Sequence, residues 1–338
     1  MRIFNITRKE LIFFGSTALI FIAAAILFGS YGLRASRANA ERDYIRWLEF
    51  NVKLSGLEKA LRYDIESHGT QTPLCWIELL SYAAARNWGN MADERKINGY
   101  IDEAAKRLRE GASIEELTAG LKLYNYFYEI YYAVLGGFLG EFEVISDGAV
   151  TRKYGLRVFS PIAKGFYYSH YDDFGNARSY GYRRRHLGND LLGNVGTPII
   201  AVEDGFVEAL GWNQYGGWRI GIRTHDMRRY YYYAHLRKDH PFRTGLKEGD
   251  FVQAGDVIGY LGMTGYSRTE NVNNITTPHL HFGMQIIFDE AQKDGINQIW
   301  IDVYNIIKLL ERNRMSVARC AEGKDYERTV RINSIVTD

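Results

Sequence analysis

In the first half of the chain, apolar positions recur every three or four residues. Trp47, Phe50, Leu54, Leu57, Leu61 and Ile65 form one stripe, which predicts a long amphipathic helix. Trp76, Leu79, Leu80 and residues 83–85 form a second stripe. Ile101, Ala104, Ala105 and Leu108 form a third, which Gly111 closes. Ser113 and Glu116 have the spacing of a capping box, so a further helix is expected to start there. It would run through Leu121, Tyr124, Tyr126, Phe127, Tyr128, Tyr131 and Tyr132 and stop near Gly136 and Gly137. Residues 40–140 thus read as a helical module whose apolar faces pack on one another. Exposed tyrosines could instead serve a glycan-binding module, but the spacing favours core packing.

After Glu141 the period shortens to that of strands, punctuated by glycine. Residues 197–202 and 205–210 predict two strands joined as a hairpin at Glu203, Asp204 and Gly205. Residues 218–223 and 229–235 predict another pair; 251–252, 257–261 and 279–286 continue the pattern. Tyr230 to Tyr233 should alternate between core and surface, with the outward pair available to line a groove. An apolar helix over residues 301–313 closes the region, and residues 316–338 read as a tail. The fold expected is α+β, with an antiparallel β domain over residues 150–315.

Ahead of all this, residues 11–29 (LIFFGSTALIFIAAAILFG) carry no charge. As a helix, 19 residues at 1.5 Å each cover about 28 Å, close to the roughly 30 Å hydrocarbon core of a bilayer. Arg2, Arg8 and Lys9 precede the run, and Arg34, Arg37, Arg42 and Arg46 follow it, so flanking charge does not orient it. A cleaved signal peptide is the competing reading, because Ala38-Asn39-Ala40 has small residues at the right spacing. The apolar run is longer than a usual signal core and ends well before that site. Residues 1–35 are therefore expected to be a cytoplasmic tail and an uncleaved single-pass anchor, with the rest of the chain on the extracytoplasmic side of the cell membrane.

Composition narrows the partners. Among 338 residues, 42 Lys and Arg balance 40 Asp and Glu, so nothing points to nucleic acid. Cys75 and Cys320 lie far apart, which excludes a disulfide scaffold and a cysteine zinc knuckle.

The chemistry is carried by histidines. His186 and Asp190 are four apart, His279 and His281 flank one leucine, and His235 ends a strand. On a strand, residues two apart project from one face, so His279 and His281 enter one site. Gly188 and Asn189 disfavour a helix between His186 and Asp190. Two imidazoles and one carboxylate suit a catalytic zinc, which keeps a fourth position open, and two further histidines could move protons beside it. His68, His170, His225 and His240 have no partner at ligand spacing.

This ordered series resembles the lysostaphin-type (LytM-like) zinc metalloendopeptidases, exported bacterial enzymes that cut peptide bonds in peptidoglycan. The resemblance covers His186 with Asp190, Gly196-Thr197-Pro198, the Gly205 turn, His235 in YAHL, the glycine-rich residues 249–265, and His279 with His281. It spans residues 186–283, about a third of the chain. It implies one Zn2+ per chain held by His186, Asp190 and His281. His235 and His279 would then be the catalytic, non-ligating histidines that act on the attacking water and steady the oxyanion. Tyr180 falls where related enzymes keep a tyrosine near the oxyanion, with Tyr182 as its rival.

Two departures from the family pattern stand out. Residues 266–277 form a longer loop than usual, expected beside the cleft, where it could set substrate choice. Gly283 stands where an acidic or amide residue is common, which should tune the site and leave activity intact. The rival reading is an envelope scaffold, or an activator of other wall hydrolases, built on the same fold. It predicts missing ligands, whereas all five positions are filled here. A zinc enzyme acting on a protein instead of the wall is a third reading. The helical module could recruit a protein partner.

Overall fold

The structure, a computed structural model, describes residues 44–146 and 148–334. The expected membrane helix at 11–29 and the candidate processing site at Ala40 lie outside the described residues. Among the described residues no helix is long and apolar enough to cross a membrane. From Arg46 onward the described chain forms one compact unit.

Five helices come first: α1 (Leu54–Ser67), α2 (Trp76–Arg86), α3 (Glu94–Arg109), α4 (Ile114–Thr118) and α5 (Tyr124–Leu135). α2 buries residues on all its sides and is packed by α1, α3 and α5, as an all-round apolar helix must be. Two helical expectations change. The stripe from Trp47 does not begin a helix, because residues 44–53 are outside any helix and α1 starts only at Leu54. Leu48, Phe50 and Val52 are buried while Trp47 is 67% exposed, so a period of two prevails there. The capping box at Ser113 and Glu116 forms as expected, but its helix ends after five residues. Gly120, at φ +83°, separates it from α5, so the aromatic run is a helix of its own.

The β elements are β1 (Leu139–Ser146), β2 (Ala149–Leu156), β3 (Tyr168–His170), β4 (Ala177–Arg178), β5 (Arg184–Arg185), β6 (Asn189–Gly193), β7 (Pro198–Ile200), β8 (Gly205–Asn213), β9 (Gly217–Thr224), β10 (Arg229–Ala234), β11 (Phe251–Val252), β12 (Val257–Tyr260), β13 (His279–Ile286) and β14 (Ile299–Ile301). Helix α6 (Tyr304–Leu310) follows, then β15 (Val317–Arg319), β16 (Tyr326–Arg328) and β17 (Arg331–Ser334). The main antiparallel sheet has the order β11-β8-β9-β10-β13-β6-β3, with β14 added on β13. Its inner face buries Val207, Ile220, Ile222, Tyr231, Tyr233, Phe282 and Met284. Tyr230 and Tyr232 take the opposite, half-buried face, so the tyrosine run alternates as its sequence predicts.

Three more expectations are corrected. Residues 203–205 do not close a hairpin, because β7 pairs with β12 while β8 pairs with β9 and β11. The corner carries the chain from one sheet to the next. It is held by Glu203, which accepts from Arg229 and from the Tyr231 hydroxyl, and by Asp204, which accepts from the Ala254 amide at 2.6 Å. The closing helix is shorter than residues 301–313, since Ile299–Ile301 is spent on a strand of the main sheet. Residues 316–338, expected as a tail, contribute the β15–β16 ribbon and β17, which pairs with β1 and buries Ile332 in a core shared with Phe142, Tyr260 and Met315.

The helices are bolted to this sheet. Buried Arg229, on β10, gives Nη1 to the carbonyl of Ala133 in the last turn of α5 at 2.9 Å, while its other nitrogens pair with Glu203 and Asp226. Asp64 of α1 accepts from the Trp76 amide at 2.8 Å and from the Tyr154 hydroxyl at 2.6 Å, joining two helices to β2.

Candidate metal centre and catalytic cleft

Sheet register assembles the centre. Antiparallel pairing of β6 with β13 sets Asp190 directly opposite His281, and pairing of β10 with β13 sets Ala234 opposite His281 on the other side. His279 precedes His281 by two positions and shares its face, while His235 follows Ala234. His186 lies on the short turn between β5 and β6, pinned by its amide to the carbonyl of Asn176 at 2.9 Å.

His186 Nε2, His281 Nδ1 and Asp190 Oδ1 converge. They are separated by 2.8 Å between the two nitrogens, 3.0 Å from His186 to the carboxylate and 3.2 Å from His281 to it. Donors on a tetrahedral zinc with 2.0–2.1 Å bonds stand about 3.3 Å apart, so this triangle is close to one face of such a shell. The hydrogen-bond network supplies the lone pairs it needs. His186 Nδ1 lies 3.1 Å from the backbone carbonyl of Asp173 and 3.0 Å from Arg178 Nη2, and the tautomer that donates to the carbonyl is the one that would leave an Nε2 lone pair for a metal. Burial works against charge on His186, yet the Asp173 and Asp190 carboxylates raise its pKa to about 9. Burial also opposes ionisation of Asp190, but bonds from His186 and His281 outweigh it and hold the carboxyl well below the ordinary range. A site that draws positive charge, and offers two nitrogens and one oxygen, fits a zinc ion.

His235 and His279 stand beside the triangle, their rings 4.8 Å apart. Each spends Nδ1 on a backbone carbonyl: His235 on Thr264 at 2.9 Å, His279 on Thr277 at 2.8 Å. Both therefore turn Nε2 toward the site, that of His279 being 3.7 Å from Asp190 Oδ1. Burial, with His279 and His281 nearby, pushes the pKa of His235 well down, so it stays neutral. His235 sits at φ +63°, an uncommon backbone setting that aims its ring inward. The five expected site residues are thus brought together. The other four histidines take no part in the cluster.

Tyr180 is not among the cleft-lining residues; Tyr215 and Tyr266 are. Tyr180 is stacked on Tyr266 at 4.6 Å, one ring further out, and Tyr182 meets Tyr215 edge-on at 5.8 Å. Arg184 lies over the Tyr215 and Tyr266 rings at 5.0 and 5.5 Å and ties this rim together. The loop 266–277 enters the cleft only with Tyr266. Beyond it Asn271 is fastened to Trp218, to the Asp239 amide and to the Asp239 carboxylate.

Sequence reasoning missed the residues behind the ligands. Arg178 Nη2 reaches Asp190 Oδ2 at 3.1 Å and Asp173 Oδ2 at 2.9 Å. It occupies the far oxygen of Asp190, so only Oδ1 faces the triangle. Asp173 in turn accepts from the Asp190 amide at 3.2 Å. Neither residue has a motif spacing that would have flagged it. Gly283 also gains a reason: a Cβ there would lie 2.8 Å from the Leu187 carbonyl and 2.9 Å from the Trp300 ring. Reciprocally, a Cβ on Gly188 would lie 2.6 Å from the Phe282 carbonyl and 2.8 Å from His281 Cε1. The turn carrying His186 crosses β13 where neither backbone has a side chain.

Residues 184–296 match Peptidase family M23. The L-Ala–D-Glu endopeptidase of Bacillus subtilis (strain 168) is 43% identical over 146 residues, 43% of this chain and 41% of that protein. The glycyl-glycine endopeptidase of Staphylococcus capitis is 43% identical over 98 residues, 29% of this chain and 24% of that protein. The chain spans less than half the length of these curated relatives. The solved catalytic domain of lysostaphin from Staphylococcus simulans is 31% identical, with 42% of this chain and 92% of that one covered at a TM-score of 0.32. The segment that holds the metal centre, residues 184–296, is thus a domain of Peptidase family M23.

Proposed function

We propose that this protein is a zinc-dependent endopeptidase that hydrolyses amide bonds in bacterial peptidoglycan. The observation that carries the reading is the convergence of three donor atoms with two histidines whose Nδ1 atoms are already committed. Zinc held by His186, Asp190 and His281 would supply Lewis-acid polarisation of the scissile carbonyl and make water a nucleophile near neutral pH. His235, neutral and presenting Nε2, takes a proton from the attacking water. The proton that His235 takes up would pass to the leaving amine, and His279, its ring 4.8 Å from that of His235, would as the imidazolium donate a hydrogen bond from Nε2 to the developing oxyanion. These roles require no covalent intermediate on the chain. The peptide bonds named for the two curated relatives differ, and both belong to peptides; a wall-peptide substrate for this chain rests on that likeness. We further propose that residues 11–29 anchor the chain in the cell membrane with the peptidase outside, supported by the length of the uncharged run.

The test combines metal content with digestion of purified peptidoglycan. The full-length protein should carry about one zinc and release peptide-bond cleavage products; His281→Ala should lose both. His235→Ala and His279→Ala should keep zinc and lose a factor of about 10²–10⁴ in rate, as removal of a proton-transfer group does. Zinc without cleavage of any wall peptide would overturn the enzyme reading in favour of a scaffold or activator.

A further inference from the structure

A second groove runs on from the metal cleft across the outer face of the main sheet, and Tyr215, Tyr232 and His281 line both. Its floor is β9, where alternation puts Arg219, Gly221 and Arg223 on one face. Arg223 is 3% exposed. Its Nε and Nη2 are held by Glu208 at 2.6 and 2.8 Å, and its guanidinium lies over the Tyr230 ring at 4.7 Å. Its remaining nitrogen, Nη1, is buried and has no hydrogen-bond partner among the described residues. Such an orphaned donor on a fixed guanidinium costs free energy unless an acceptor arrives. Arg219, also lining the groove, has no ion-pair partner among the described residues. Glu208 balances the charge of Arg223 but leaves its Nη1 open to an acceptor, and Asp294 also lines the groove without an ion pair to Arg219.

Register gives the spacing. Ile220 opposes Tyr233 and His281 opposes Ala234, so Arg219 is level with His281, two strands away. Two interstrand spacings are about 10 Å, the reach of two to three residues of extended peptide. Resting on the peptidase reading above, we propose that this groove is a subsite for a carboxylate of the peptide substrate, two to three residues from the scissile bond, held by Arg219 and Arg223. Wall stem peptides carry such free carboxylates, whereas oligoglycine has none within its run. The subsite therefore assigns this chain an acidic stem peptide as substrate.

The test uses a synthetic stem peptide with a γ-linked glutamate whose α-carboxylate is free, and the same peptide with that group amidated. The full-length, zinc-loaded protein should show a lower KM for the free acid. Arg219→Gln should raise that KM about tenfold, leave kcat and zinc content unchanged, and leave the amidated peptide unaffected. Arg219→Lys should recover part of the loss. Equal effects on both peptides, or none on either, would overturn the subsite. Calorimetric binding of the same pair keeps the two proposals apart. A protein that cleaves neither peptide but binds the free acid more tightly, and loses that preference in Arg219→Gln, would overturn the peptidase reading and support the subsite. No preference in binding would overturn the subsite whatever the cleavage.

Discussion

Arg178 shows how much of a metal centre lies outside its ligands. By holding Asp190 Oδ2 it limits that carboxylate to one oxygen at the metal, and by pairing with Asp173 it steadies the group that fixes His186. Partners of this kind typically set metal affinity by a factor of about 10–100. Arg178→Met should weaken zinc binding by that factor in competition with a chromophoric chelator while the fold persists. Gly188 acts through space alone. Gly188→Ala places a methyl against the Phe282 carbonyl and His281, and should cost about 1–3 kcal/mol in denaturant unfolding along with a loss of zinc affinity. All five histidine and aspartate positions were legible in the sequence because metal chemistry demands particular residue types. Arg178 and Asp173 were not, since an ion pair formed across a turn has no fixed spacing. Nor was the displacement of Tyr180 by Tyr215 and Tyr266, which depends on how three loops meet.

At the level of elements, β3 carries a half-buried histidine, His170. Both ring nitrogens of His170 are buried without a hydrogen-bond partner among the described residues, and its ring lies 4.5 Å from that of Tyr304 on α6. Burial is the main cause that lowers its pKa to about 4. The folded state thus refuses a proton that the unfolded chain accepts near the ordinary value of about 6.5. The stabilisation is complete above about pH 6.5 and is lost progressively as pH falls toward 4, by about 1–3 kcal/mol. His170→Phe should remove that component of the pH slope of unfolding between pH 6.5 and 4. The elements also show where periodicity fails as a guide. The β9–β10 pair follows from alternation and turn residues. The exchange of β7 and β8 between sheets at Glu203 does not, because the partner of β7 lies more than fifty residues downstream in β12. The stripe through Trp47 matched a helix by coincidence of spacing, and burial of Leu48, Phe50 and Val52 overrode it.

Across the whole molecule, Arg229 joins what the sequence divides into a helical module and a β domain. Its guanidinium is buried against Glu203, Asp226 and the end of α5, so Arg229→Met leaves a buried carboxylate without its partner. The expected cost is about 3–5 kcal/mol by urea unfolding. Calorimetry should show helices and sheet melting in one transition, because the contacts between them run through buried groups and not through a wet interface. Two separate transitions would contradict that coupling.

The pairing of Asp190 with His281 across β6 and β13 has one more implication. Strand side chains alternate, so a slip of one residue would turn one of these ligands to the opposite face of the sheet. The two positions lie 91 residues apart in the chain, so the contact that joins them is of high order. On the peptidase reading proposed above, ion binding would therefore act as a proofreading step: a copy whose β6–β13 pairing has slipped presents an incomplete donor set and would be inert.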